Sequence, residues 1–193
     1  MDDRTEKAVR ALTSSPLFPF EGEFGLKTLG APMESELVRD GEDGKPCHSC
    51  GADDRVLWRN GRWKLTSFRP SANPVGLFLE TIDHIDFDHF DDGLAAEFGR
   101  LTWRLETAIR TIESVGRVHV HRWGDGSSHF HVWVQGRPAR QVELYGWGNV
   151  LWSQLLPPLD ASVIDANHRR VVVHFARAVG GTVVDLRRSS SER

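Results

Sequence analysis

The sequence predicts an α+β domain: an antiparallel sheet of about five strands, one long helix laid against it, and a C-terminal helix. Three stretches carry that expectation. Ser128-His129-Phe130-His131-Val132-Trp133-Val134 alternates strictly, so Ser128, Phe130, Val132 and Val134 face one way while His129, His131 and Trp133 face the other. From Gly93 to Ser114 the apolar positions Leu94, Phe98, Leu101, Leu105, Ala108, Ile109 and Ile112 recur at three and four, which is one face of a helix. Two short alternating runs, Arg55 to Arg59 and Arg62 to Phe68, are joined at Asn60-Gly61, a strong hairpin signal. The chain has 193 residues, 39% apolar and 26% charged, with a formal net charge of -3, which fits one ordinary globular domain. That balance lacks the basic stripe of a nucleic-acid binder. No apolar run approaches the ~20 residues of a membrane span, and the charged start Met1-Asp2-Asp3-Arg4 is not a signal sequence, so a cytoplasmic location is expected.

In chain order, residues 5 to 13 form a short amphipathic helix with Ala8, Val9 and Leu12 on one side. Ser14 to Lys45 shows no sustained period and reads as an arm that wraps a surface or reaches a partner subunit, with Asp40-Gly41-Glu42-Asp43-Gly44 as a solvated turn. Residues 1 to 45 are therefore set apart from a core spanning 46 to 140. After the hairpin, Gly76 to Glu80 is a third strand, apolar enough for the centre of a sheet, that runs out at Thr81-Ile82-Asp83-His84. Asp91 or Asp92 caps the long helix and Gly116 lies past its end. Val118 to Trp123 is a fourth strand, Gly124-Asp125-Gly126 a tight turn, and the His129/His131 strand its antiparallel partner. Residues 141 to 186 form a helical extension: a short helix stopped by Pro157-Pro158, then a helix from Asp165 to Val179 closed by Gly180-Gly181. Residues 187 to 193 read as a disordered tail. Trp58, Trp63 and Trp103 fall on apolar faces and are expected in the core.

The chemistry lies in two clusters. Cys47-His48-Ser49-Cys50 holds the only two cysteines, at a spacing that aims two thiolates at one ion. The same spacing serves redox pairs, but those open a helix in a βαβ pattern that is missing here, so zinc is favoured. Zinc wants two further ligands, for which His84, His129, His48, His121 and His119 are candidates. His129 and His131 point the same way about 7 Å apart, so one can ligate while the next faces a substrate. A neutral imidazole beside a phosphate can act as a nucleophile, and Arg137, Arg140, Arg122, Ser127, Ser128 and the turn at 124 to 126 are candidates for holding that phosphate.

His129-Phe130-His131-Val132-Trp133-Val134, preceded by a long helix, a strand and a Gly-Asp-Gly turn, resembles the active-site strand of the histidine-triad superfamily of nucleotide hydrolases and transferases. The order of Cys-x-x-Cys, Asn-Gly hairpin, strand ending in His84, helix and paired histidines is also similar, over about residues 46 to 138. The resemblance implies that His131 attacks an α-phosphate and becomes nucleotidylated. It implies a structural zinc on Cys47, Cys50, His84 and His129, as in the zinc-bearing branches that include the galactose-1-phosphate uridylyltransferases. It further implies a nucleotide substrate touched by Ser127, Ser128, Trp133 and Arg137, and a homodimer formed through the long helix. Two positions depart from the pattern: the third histidine is Trp133, and Gln135-Gly136-Arg137-Pro138 replaces the usual proline-arginine pair. The uridylyltransferase branch also lacks the third histidine.

The functional expectation is a nucleotide hydrolase or nucleotidyl transferase working through a nucleotidyl-histidine, for example on a dinucleoside polyphosphate. A weakly catalytic nucleotide-binding module that keeps the fold and zinc is the alternative. A third reading makes His119, His121, His129 and His131 an open catalytic metal site.

Overall fold

A computed structural model describes residues 3–22, 24, 25, 27, 29–51, 54–68 and 70–184; the tail expected at 187 to 193 lies outside the described residues. The elements are α1 (Asp3–Thr13), β1 (Val56–Arg59), β2 (Trp63–Ser67), β3 (Val75–Thr81), α2 (Asp92–Ile109), β4 (Val115–His121), β5 (His131–Pro138), α3 (Trp147–Trp152), α4 (Ala161–Val179) and β6 (Thr182–Val183). All strand pairs are antiparallel, in the order β4-β5-β3-β2-β1-β6. The sixth strand is the two-residue β6, which turns back from α4 to pair with Trp58 and Arg59.

One face of the sheet carries the core. Leu101, Leu105, Ala108 and Ile109 of α2 and Val171, Val172 and Phe175 of α4 pack with Leu65, Leu77, Leu79, Val132 and Val134 of the strands. Asp91 caps α2, its carboxylate accepting the Leu94 N–H at 2.7 Å. The helix stops at Ile109, short of the expected end, because the chain tightens into turns that still bury Ile112. Trp58 and Trp63 are fully buried, and truncating either to Ala would cost about 3 to 5 kcal/mol. Trp103, by contrast, is 57% exposed: two residues from Leu101 it lies across the helix from the core stripe, where Arg104 stacks on its ring at 4.1 Å. The Asn60-Gly61 hairpin also closes differently from expectation, without positive φ; the Asn60 side-chain oxygen accepts the N–H groups of Arg62 at 2.8 Å and Trp63 at 2.7 Å.

The opposite face presents the chemistry. Register aligns Arg59, Lys64, Glu80 and His131 in one row across β1, β2, β3 and β5, and Thr66, Phe78, Trp133 and His121 in the next row across β2, β3, β5 and β4. Part of this face is covered, since Gln135 is buried under Asn149 and Ser153, bonded at 3.0 and 3.2 Å.

The end of the arm is a turn that leaves Asp43 and Gly44 exposed, but its start is bound to the sheet. Asp40 pairs along Ser127, its N–H donating to the Gly126 carbonyl at 3.0 Å and its carbonyl accepting from the Ser128 N–H at 3.1 Å. Arg39 binds Asp86 at 2.7 Å and Glu42 at 2.6 Å, and Arg122 shares the same Asp86 carboxylate. A doubly paired, mostly buried carboxylate thus pins the arm to the turn between β4 and β5.

Candidate active site and metal centre

Ligand atoms of Cys47, Cys50, His84 and His129 all lie within 4.8 Å of one another. The turn Cys47 to Cys50 is a single 3-10 turn, closed by the Cys50 N–H on the Cys47 carbonyl at 3.3 Å, which puts both sulfurs on one side. His84 comes from the loop after β3, and His129 from the extended stretch just before β5, where residues 127 to 130 leave the ladder to run beside the arm.

Hydrogen bonding selects the tautomers. His129 Nε2 lies 2.8 Å from the Thr81 carbonyl and must donate to it, so Nδ1 carries the lone pair, 3.5 Å from Cys47 Sγ and 3.4 Å from Cys50 Sγ. His84 Nε2 donates to Ser128 Oγ at 3.3 Å, and that hydroxyl donates in turn to the Asp40 carbonyl at 3.1 Å. His84 Nδ1 is thereby left for Cys50 Sγ at 3.3 Å. Tetrahedral bonds of ordinary zinc–sulfur and zinc–nitrogen length put ligand S and N about 3.5 Å apart, so the donor set fits such an ion in type and spacing. Burial lowers the His129 pKa and keeps the ring in its neutral, ligating form. Burial, together with the neighbouring Cys47, pushes the Cys50 thiol up to about 11. Two adjacent thiols resist ionising together, and a divalent cation is what reverses that preference.

His131 follows on the open face, half-buried. Its Nδ1 donates to the His129 carbonyl at 2.9 Å, which leaves the Nε2 lone pair directed away from the backbone. Phe78 stands edge-on to the ring at 5.9 Å. Trp133, the next residue on that face, packs against Phe78 at 4.5 Å and Phe68 at 4.9 Å and stacks with His121 at 5.8 Å.

The other sequence candidates fall elsewhere. Ser128 supports His84, and the Ser127 hydroxyl accepts the His129 N–H at 3.1 Å. Arg122 is held by Asp86 and lies over Phe87 and Phe130. Arg137 stands six residues beyond His131, about 20 Å along the strand, and cannot share one phosphate with it. His48 pairs with Asp40 at 2.8 Å and stays outside the cluster. The four-histidine reading has no support, because His129 turns to the cysteines and His121 lies opposite Trp133.

Two features escaped sequence reasoning. One is Gly41, on which a Cβ would stand 2.4 Å from His84 Cε1; nothing in local spacing announces a contact between residues so far apart. The other is the buried pair Lys64 and Glu80, at 3.7 Å, beside His131. Glu80 also accepts from Thr66, and Lys64 donates to the Ser49 carbonyl in the cysteine turn. A glutamate closing the apolar run 76 to 80 was the available signal.

No family model matches the chain, and none of the curated proteins matches it in sequence. Solved structures do. A histidine triad protein of Bradyrhizobium japonicum superposes with a TM-score of 0.50 at 16% identity, covering 63% of this chain and 92% of that one. A zinc-bound histidine triad family protein of Mycobacterium smegmatis gives 0.48 at 12% identity, over 66% of this chain and 87% of that one. A hypothetical histidine triad nucleotide-binding protein of Sulfolobus tokodaii gives 0.47 at 10%, over 68% of this chain and 91% of that one. The first of these establishes the class of fold: the chain is an α+β protein of the histidine-triad fold. Among the described residues, no helix is long and apolar enough to cross a membrane.

Proposed function

We propose that the chain is a nucleotidyl transferase or hydrolase that works through a covalent intermediate on His131, with a structural zinc on Cys47, Cys50, His84 and His129. The observation that carries this reading is the His131 Nδ1–H bond to the His129 carbonyl, which presents Nε2 as a lone pair on an open, aromatic-walled face. Nε2 attacks the α-phosphorus of a bound nucleotide; the N–P bond forms as the bond to the leaving group breaks. The ring keeps its Nδ1 proton and becomes cationic, a form that the His129 carbonyl stabilises by accepting the Nδ1–H bond. Water or an acceptor hydroxyl then attacks phosphorus and passes its proton to solvent, the N–P bond breaks with its electron pair returning to Nε2, and the neutral imidazole is restored. Cys47, Cys50, His84 and His129 would hold the zinc, and with all of its positions taken by protein its contribution would be structural.

Trp133 bears on the substrate. Where a third histidine would offer a proton to the departing group, an indole offers none at neutral pH. A departing phosphate needs no proton, whereas an amine does. The favoured substrates are therefore phosphoanhydrides such as dinucleoside polyphosphates, ahead of phosphoramidates. A homodimer through α2, which exposes Trp103, belongs to the same proposal; light scattering of the eluted protein tests it.

Intact mass spectrometry after mixing with diadenosine polyphosphates, nucleotide sugars or adenosine phosphoramidate should show a nucleotidyl adduct absent from His131→Ala, with that variant's melting and metal content unchanged. An adduct that survives in His131→Ala would refute the nucleophile assignment. No adduct, with a saturable nucleotide-dependent rise in melting temperature, would favour the binding module, which Trp133 makes the second reading.

A further inference from the structure

At the far end of β5, beyond the part of the face covered by α3, lies a cleft of about 460 Å³ lined by Gly116, Arg117, His119, Arg137, Arg140 and Tyr145, among others. Arg137 is only 6% exposed. Its guanidinium donates to the Pro138 carbonyl at 2.7 Å and lies 4.2 Å over the Tyr145 ring. Among the described residues, no carboxylate pairs with Arg137, Arg117 or Arg140, although the chain as a whole carries a formal charge of -3. Burying a guanidinium without a counter-charge costs several kcal/mol, a cost that a bound anion removes.

Two backbone features shape the same place. A Cβ at Gly116 would stand 3.0 Å from Arg137 Nη2 and 2.9 Å from the Ala139 Cα, so only glycine leaves that guanidinium its room. Arg140 sits at φ 61, a left-handed conformation that costs a non-glycine residue free energy and that Asn or Gly would adopt more readily. A strained arginine beside a buried unpaired one is an arrangement that folding alone does not reward. His119, lowered in pKa by burial and by Arg137, adds a neutral imidazole to the wall.

We infer that this cleft is a second ligand site, which binds a chain of phosphates through Arg137, Arg117 and Arg140. Guanidinium forks match phosphate oxygens, and three of them suit several linked phosphates better than one carboxylate. The volume falls among small-molecule pockets, typically about 300 to 1,000 Å³. The site is distinct from His131, about 20 Å away along the strand, with buried Gln135 between them.

Calorimetric titration with sodium tripolyphosphate and with ATP tests this on the full chain. Wild type and His131→Ala should bind tripolyphosphate alike, Arg137→Gln and Arg140→Asn should each weaken it at least tenfold, and Arg100→Gln on α2 should leave it unchanged. Equal affinities for tripolyphosphate and ATP would make the phosphate chain the whole ligand; tighter ATP that is lost with Arg137→Gln would add the nucleoside to the same site. Should Arg137→Gln fold poorly, Arg140→Asn decides, since Asn tolerates the backbone there. Wild-type binding in Arg140→Asn, an equal loss in Arg100→Gln, or loss of all binding in His131→Ala would overturn the site.

Discussion

Replacing Gly41 with Ala tests how the arm and the metal centre depend on one another. The new Cβ would stand 2.4 Å from His84 Cε1, 2.8 Å from Ser128 Oγ and 3.0 Å from His84 Nε2, at a backbone φ of +92. His84 is held on both ring nitrogens, by Cys50 and by Ser128, so it cannot step aside without giving up one of them. The backbone strain alone costs about 1 to 3 kcal/mol. Disturbing a partner that orients a ligand typically weakens metal binding about 10- to 100-fold. Together these should lower the melting temperature of the metal-loaded protein by roughly 5 to 20 °C, at about 2 to 4 °C per kcal/mol for a chain of this size. Gly44→Ala is the control, because Gly44 shares a positive φ of +82 but has nothing within 4 Å of the added carbon. Melts with and without chelator, and zinc competition against a chromophoric chelator, separate the two effects. If Gly41→Ala and Gly44→Ala hold zinc equally tightly, the contact with His84 does not matter and the proposed role of the arm fails.

Lys64→Met leaves Glu80 buried without its cation and should cost about 3 to 5 kcal/mol in urea denaturation, with part regained in the double variant Lys64→Met/Glu80→Gln; an additive double variant would show that the pair is not coupled. Burial lowers the His121 pKa from 6.5 to about 4, aided by neighbouring His119, whose own pKa is also lowered. Between those values the unfolded chain binds a proton that the folded chain refuses, so stability present above pH 6.5 is lost as the pH falls toward about 4. In the presence of chelator, the urea midpoint of wild type should therefore drop more between pH 7.5 and 5 than that of His121→Gln, and equal drops would contradict the assignment. On the proposed mechanism, Trp133→His adds a proton donor at the third motif position and should raise phosphoramidate hydrolysis more than anhydride hydrolysis, measured as turnover on both; an equal rise on both would mean that the leaving group's proton is not what Trp133 withholds.

What was legible in the sequence was whatever has a period or a short spacing. Phe130, Val132 and Val134 enter the core as their alternation requires, and Leu101, Leu105 and Ile109 line α2 as theirs does. The Cys47 and Cys50 spacing alone serves metal sites and redox pairs alike, and only the resemblance singled out His84 and His129 among five candidate histidines. Contacts between distant segments have no such signature. Asp40-Gly41 reads as a polar turn because its partners, Ser127, Ser128 and His84, are 43 or more residues away. Arg137 shows a different limit: position in a motif says nothing about reach, and a strand rising about 3.3 Å per residue carries it well away from His131.

His129 links the two chemistries, and its bonds decide how far they depend on each other. Its N–H is held by Ser127 Oγ at 3.1 Å, its Nε2 by the Thr81 carbonyl at 2.8 Å, and its own carbonyl orients His131 at 2.9 Å. Those bonds are made by protein groups, and the residue is fully buried. Cys50 and His84, in contrast, are exposed, and the cysteine turn is tied down by Lys64 on the Ser49 carbonyl and by His48 on Asp40. A metal at this cluster therefore does most for the turn at 47 to 50 and the loop at 84, while the tautomer of His131 rests on the peptide of His129. On this geometry, metal loss should cost stability first and the geometry of the proposed nucleophile second, because the ligand next to His131 in the strand is the one best fixed without the ion.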